Sequence, residues 1–110
     1  MNIQIVYMTF GSLEEARSTA RHLVQAHLAA CANIFENVNA VYLWEGRLQD
    51  EREVVVIAKT AGHRLAELIE AVRRMHRYEV PCIVAWPATG GHPPFLDWVA
   101  AETGQTASEA

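Results

Sequence analysis

The chain has 110 residues, 51% of them hydrophobic, and a formal net charge of −4. That suits one compact domain and is too short for two ordinary ones. A domain this small leaves much apolar surface uncovered, so oligomerisation would help it. The acidic balance and the single lysine, Lys59, argue against a nucleic-acid binder, which would carry a basic face.

The opening stretch "MNIQIVYMTF" has no basic leading region, and polar residues interrupt its apolar ones, so it does not read as a signal peptide. No apolar run approaches the roughly 18 residues of a membrane-spanning helix, and the cytoplasm is the expected location. Residues 3–10 alternate and are rich in β-branched and aromatic types, which predicts a strand. In "GSLEEARSTARHLVQAHLA", Ser12 and Glu15 form a capping-box pattern, each side chain placed to satisfy a backbone donor of the first turn. Leu13, Ala16, Ala20, Leu23, Val24 and Leu28 then share one helical face, which predicts a helix over 13–28.

Two β-rich runs follow, on either side of "EGR", where Gly46 can take a positive φ. They predict a long hairpin with strands near 32–44 and 48–59. A second helix has Leu65, Leu68, Ile69 and Val72 on one face. Pro81 bars helix beyond it and drives Val80 to an extended conformation. "VPCIVAW" reads as a short strand, "PATGGHPP" as a loop and "FLDWVAAET" as a last short helix. The single domain is expected over 1–104, with residues 105–110 as a frayed tail.

The order β-α-β-β-α-β plus a terminal helix is the α+β, ferredoxin-like pattern, and right-handed crossovers put its two main helices on one sheet face. Val54, Val55, Val56 and Ile57 are apolar on both faces of the pleat, as in a strand covered on both sides. Two helices cover one side only. The other needs the curl of the long hairpin or a second subunit.

The stretch "MHRYEVPCI", residues 75–83, is the densest in chemistry. His76 is a candidate base, metal ligand or helix C-terminal cap, and the cap or a core hydrogen bond is the preferred reading. Tyr78 and Glu79 line a pocket or anchor the loop. Lys59 ends an apolar strand and must reach water or an acid, which suggests Glu79 as its partner across an inter-subunit cleft. No Ser-His-Asp order, HExxH, P-loop or dinucleotide fingerprint is present, and "ATGG" at 88–91 is a weak phosphate cradle. His22 and His27 do not share a helix face, and His63 and His92 are isolated. Cys31 and Cys82 form no CxxC pair and indicate no disulfide framework. Cys31, at a junction of small apolar residues, reads as a buried inert thiol. Arg64, Arg73, Arg74 and Arg77 stand among Glu67, Glu70 and Glu79 as a solvated, partly neutralised face. Trp44 and Glu45 follow Tyr42 and Leu43 at the hairpin tip, which is costly to expose and suits a partner chain.

The stretches "LAACANI", "VYLWEG", "VVVIAKT", "HRYEVP" and "PPFLDWV" resemble, in order and spacing, those of the CutA divalent-cation tolerance proteins, over residues 5–102. The resemblance implies a homotrimer of PII-like architecture in which each long hairpin extends a neighbour's sheet. It implies a role in the response to copper and other divalent metals, with a metal ion or a small molecule as ligand, and no nucleic-acid or membrane partner. The matching residues Cys31, Asn33, Trp44, Glu45, Gly46, Lys59, Thr60, His76, Tyr78, Glu79, Pro81 and Trp98 look like a subunit-interface pocket and turn set. Where copper-type members look like Cys, His and Glu, this chain has Met8, Met75 and Cys82, and Arg77 stands where a proline is common. Thioether and thiolate donors suit Cu(I) over Cu(II) or Zn(II). Met8 and Cys82 would meet on neighbouring parallel strands, with Met75 reaching across the turn. The preferred alternative is that all three fill the core. No catalyst is expected. The competing reading is an enzyme using a cleft of Lys59, His76, Tyr78 and Glu79.

Overall fold

A computed structural model describes residues 2–104, so the tail expected at 105–110 lies outside the described residues. The elements are β1 (Ile3–Phe10), α1 (Leu13–Gln25), β2 (Cys31–Trp44), β3 (Arg47–Ala61), α2 (Leu65–Met75), β4 (Ile83–Pro87) and α3 (Pro93–Glu102), with a 3-10 turn at Gly62–Arg64 before α2. The expected α+β order is present. The four strands form one sheet in the order β2-β3-β1-β4.

Every neighbouring pair in that sheet is antiparallel. This corrects the parallel pairing expected for the strands carrying Met8 and Cys82. The cause is topological. The crossover through α1 joins β1 to β2 and leaves room for β3 between them. The crossover through α2 joins β3 to β4 and straddles β1. Each helix therefore connects strands that are parallel but not adjacent.

Ser12 caps α1 through its Oγ, which accepts the Glu15 N–H at 3.1 Å. The reciprocal half of the capping box is not made. The Glu15 carboxylate accepts the Arg77 N–H at 3.0 Å instead, tying α1 to the turn after α2. α1 also stops three residues before its expected end. His27 takes a left-handed φ of 61°. The Leu28 N–H then reaches the Leu23 carbonyl at 2.8 Å and the His27 N–H reaches that of Val24 at 3.1 Å. This is a Schellman closure, with Leu28 buried close to Leu23 in the core, and histidine where glycine is usual.

The main core lies between the sheet and the pair α1 and α2. Val6, Met8 and Phe10 of β1 face it, with Val54, Val56 and Ala58 of β3, Leu23 of α1, and Leu68 and Val72 of α2. Burying each large apolar side chain contributes about 1.5–3 kcal/mol. Val55 and Ile57 alternate to the opposite face, so β3 is apolar on both sides.

α3 covers one end of that second face. Val99 packs on Ile3 and Ala30, with Leu96 and Ala100 beside them. Pro93 and Pro94 open the helix, where a missing N–H costs nothing. Two basic side chains hold its other end: His27 Nδ1 lies 3.0 Å from the Glu102 carbonyl, and Arg64 Nε donates to that of Thr103 at 2.8 Å. Cationic groups at a helix C-terminus also complement its dipole. The choice posed for the second face, hairpin curl or second subunit, therefore omitted the terminal helix.

The hairpin of β2 and β3 runs well past the body, giving extents of 49 × 26 × 21 Å. The register shifts between Phe35 and Val38, where Asn37 has a φ of 59°. Beyond this bulge the two strands form an arm closed by Glu45 and Gly46, with φ of 51° and 81°. Two positive φ values make the tight turn whose twist matches a hairpin.

Candidate functional site: the turn after α2 and the uncovered sheet face

His76 is the hub of the turn after α2. Its side chain has no exposed surface, and its ring stacks on Phe10 with centroids 4.7 Å apart. Nδ1 accepts the Tyr78 N–H at 3.1 Å, so Nε2 carries the proton and donates to the Thr9 carbonyl at 2.7 Å. Glu15 Oε2 lies 3.7 Å from Nδ1. Both ring nitrogens are occupied, so His76 is a structural clip, as the core-bond reading expected. The adjoining Tyr78 is half-exposed, with its hydroxyl close over Gly11. Its phenol is raised above the usual value by burial first and then by the Glu53, Glu51 and Glu15 carboxylates.

Lys59 is elsewhere. It pairs with Ile5 and Cys31 in register and donates to Asn33 Oδ1 at 2.5 Å. The turn holding Glu79 leads to Cys82, whose carbonyl meets Thr9, four residues along β1 from Ile5. At about 3.3 Å per residue that is roughly 13 Å. No ion pair among the described residues joins Lys59 to Glu79. The expected pairing is not made within the chain, because the two lie towards opposite ends of β1.

The twelve expected site residues thus divide. Cys31, Asn33 and Lys59 meet on the sheet face away from α1 and α2. Cys31 is half-buried there rather than buried, and both cysteines are free. His76, Tyr78 and Glu79 form the turn. Trp44 and Glu45 are exposed at the arm tip. Trp98 lies on α3, 5.7 Å from Phe95 between ring centroids. Met8, Met75 and Cys82 are not gathered: Met8 is sealed in the core, whereas Met75 and Cys82 are exposed. Among the described residues no group of three or more His, Cys, Asp or Glu is placed to hold a metal ion.

Sequence reasoning missed an exposed apolar surface on the body of the sheet. Phe35, Val84 and Trp86 share the second face with Val55, Ile57, Ile5 and Tyr7, and all three are roughly half-exposed. The alternation of "IVAW" carried the signal, since Ile83 and Ala85 pack on the core and leave Val84 and Trp86 outward. Along the arm the pleat carries Trp44 on this same side, while the exposed Val41, Leu43 and Leu48 lie on the opposite side.

A four-stranded antiparallel sheet backed by helices, with a projecting two-stranded arm and an apolar second face, defines an α+β protein class. The chain belongs to the family described as CutA1 divalent ion tolerance protein, whose profile matches residues 4–102. It is 39% identical over 101 residues to the divalent-cation tolerance protein CutA of Thermus thermophilus, covering 92% of this chain and 98% of that one. The crystal structure of CutA1 from Oryza sativa superposes with a TM-score of 0.92 at 34% identity, over 96% of this chain and 97% of that one. The structure described as the periplasmic divalent cation tolerance protein CutA of Archaeoglobus fulgidus gives 0.89 at 38% identity, over 93% and 99%. No helix among the described residues is long and apolar enough to cross a membrane.

Proposed function

We propose that this chain serves divalent-cation tolerance as a homotrimeric binding and signalling protein of PII-like architecture, without catalysis, and that its copies join through the second sheet face and the arm. One observation carries the reading: Phe35, Val84 and Trp86 stand half-exposed on an apolar sheet face, and the arm beyond it exposes Val41, Leu43, Trp44 and Leu48. A contiguous apolar surface of this kind marks an interaction site. Both outer strands of the sheet, β2 and β4, also present unpaired backbone edges that a second copy can extend. The non-catalytic part is supported by His76, whose ring nitrogens are both engaged, and no observation favours the enzyme alternative.

The ligand site, on this reading, lies in the clefts between copies. A copper or other divalent ion would be held by donors from two chains, since one chain assembles no set of its own among the described residues. The cytoplasm remains the proposed location. Light scattering at micromolar concentration tests the assembly: a trimer that Trp86→Glu dissociates is expected, and a stable wild-type monomer overturns it. Thermal shifts against a panel of Cu(I), Cu(II), Zn(II) and nucleotides test the ligand class. Saturable stabilisation without turnover supports binding, and turnover in a hydrolase screen would favour the enzyme.

A further inference from the structure

Past the bulge, Val38 pairs with Glu53, Ala40 with Glu51 and Tyr42 with Gln49. The two-residue alternation therefore puts Tyr42, Glu51 and Glu53 on one face of the arm. Tyr42 donates its hydroxyl proton to Glu51 Oε1 at 3.1 Å. Glu53 is only 7% exposed. Yet no hydrogen bond or ion pair among the described residues reaches its carboxylate. A carboxylate withdrawn from water without a partner is strongly unfavourable, so this position calls for a positive group. The arm's own Arg52 does not supply it. Arg52 sits on the opposite face, paired with Asn39, and donates to Asn37 Oδ1 at 3.2 Å.

We propose that the Tyr42, Glu51 and Glu53 face of the arm is a binding site for an organic cation, a guanidinium or alkylammonium group. The donors suit such a group better than a metal ion. Two carboxylates with a phenol fall short of a metal-holding cluster. They do match a planar cation that gives paired N–H donors to carboxylates and lies against an aromatic ring. Tyr78 is a second phenol close enough to respond to both Glu53 and Glu51. The cation comes from one of two sources: an arginine or lysine side chain of a second copy of this chain, or a free small molecule. The side-chain source rests on the proposed assembly, and the free-molecule source does not.

The test titrates the intact protein with argininamide and methylammonium, read by NMR shifts of the tyrosine rings, beside light scattering of the same samples. Free-ligand binding is expected as a saturable shift at one per chain, weakened about tenfold or more in Glu53→Gln and unchanged in Glu36→Gln. A side-chain source is expected as self-association weakened about tenfold in Glu53→Gln, with argininamide competing against assembly. Should Glu53→Gln fail to fold, Glu51→Gln and Tyr42→Phe read the same two outcomes from exposed positions. The proposal is overturned if neither cation gives a saturable shift and the variants self-associate as wild type does.

Discussion

The Nε2–H of His76 donates to the carbonyl of Thr9 across 2.7 Å and joins the turn after α2 to the end of β1. The two residues are 67 positions apart in sequence, so the bond closes the domain rather than a local turn. The other ring nitrogen organises Tyr78, and Phe10 supports the ring from beneath.

Replacing His76 with alanine is expected to cost about 2–4 kcal/mol. It strands a buried carbonyl and a backbone N–H and removes the stacked ring. Urea denaturation measures it. A loss below about 1 kcal/mol would mean that the clip carries little of the fold.

Thr60 is fully buried on β3, and its hydroxyl donates to the Leu28 carbonyl at 2.7 Å, where the chain leaves α1. Thr60→Val keeps the shape and removes the donor, leaving that carbonyl unsatisfied at about 1–3 kcal/mol. Thr60→Ser should retain most of the stability. A larger loss in Thr60→Ser than in Thr60→Val would show that the methyl group, not the hydrogen bond, matters.

The arm turn gives a pair of opposite signs. Gly46 has a φ of 81°, and no atom lies within 4 Å of the place a Cβ would take, so Gly46→Ala is penalised by backbone strain alone, about 1 kcal/mol. Glu45 holds a φ of 51° without glycine's freedom. Glu45→Asn or Glu45→Gly is expected to stabilise the turn by up to about 1 kcal/mol. Amide exchange across the Trp44–Arg47 pair reads both, slower in the Glu45 variants and faster in Gly46→Ala.

Glu70 is held down to about 2 by hydrogen bonds from Arg73 and Arg74 on the outer face of α2. A depressed carboxyl supports the fold above its unfolded value of 4.5 and loses that support as pH falls towards about 2. The group is open to solvent, so the effect is small and salt-sensitive. NMR titration of the Glu70 carboxyl should move back towards 4.5 in Arg73→Gln combined with Arg74→Gln. No movement would assign the shift to something other than the arginines.

The local signals in the sequence were strong enough to place the strands and helices. Ser12 started α1, Gly46 marked the hairpin turn, and Pro81 ended the helical region before β4. Val54 to Ile57 correctly indicated two covered or coverable sheet faces. What escaped depended on contacts between distant residues. The end of α1 was misplaced because His27, rather than glycine, takes the left-handed position. The second-face role of α3 was missed because its docking depends on Arg64 and His27 reaching its last carbonyls. Met8 and Cys82 were expected on parallel neighbours because only the strand order reveals that each crossover skips a strand. Within the chain Lys59 meets Asn33 rather than Glu79, because register, not sequence proximity to an apolar run, decides which side chains of one copy meet.

The bulge at Phe35–Val38 divides the hairpin into two regimes of local stability. Inward of it, the ladder is backed by the core beneath Val54 and Val56. Outward of it, Val41, Leu43 and Leu48 lie open to solvent, and the backbone bonds have little packing to protect them. Opening free energy should fall towards the tip, so that the arm unzips and reforms while the body stays folded. An isolated chain would then offer proteases their first cut at this arm, and any partner that grips it would lengthen the protein's lifetime without altering a single contact in its core.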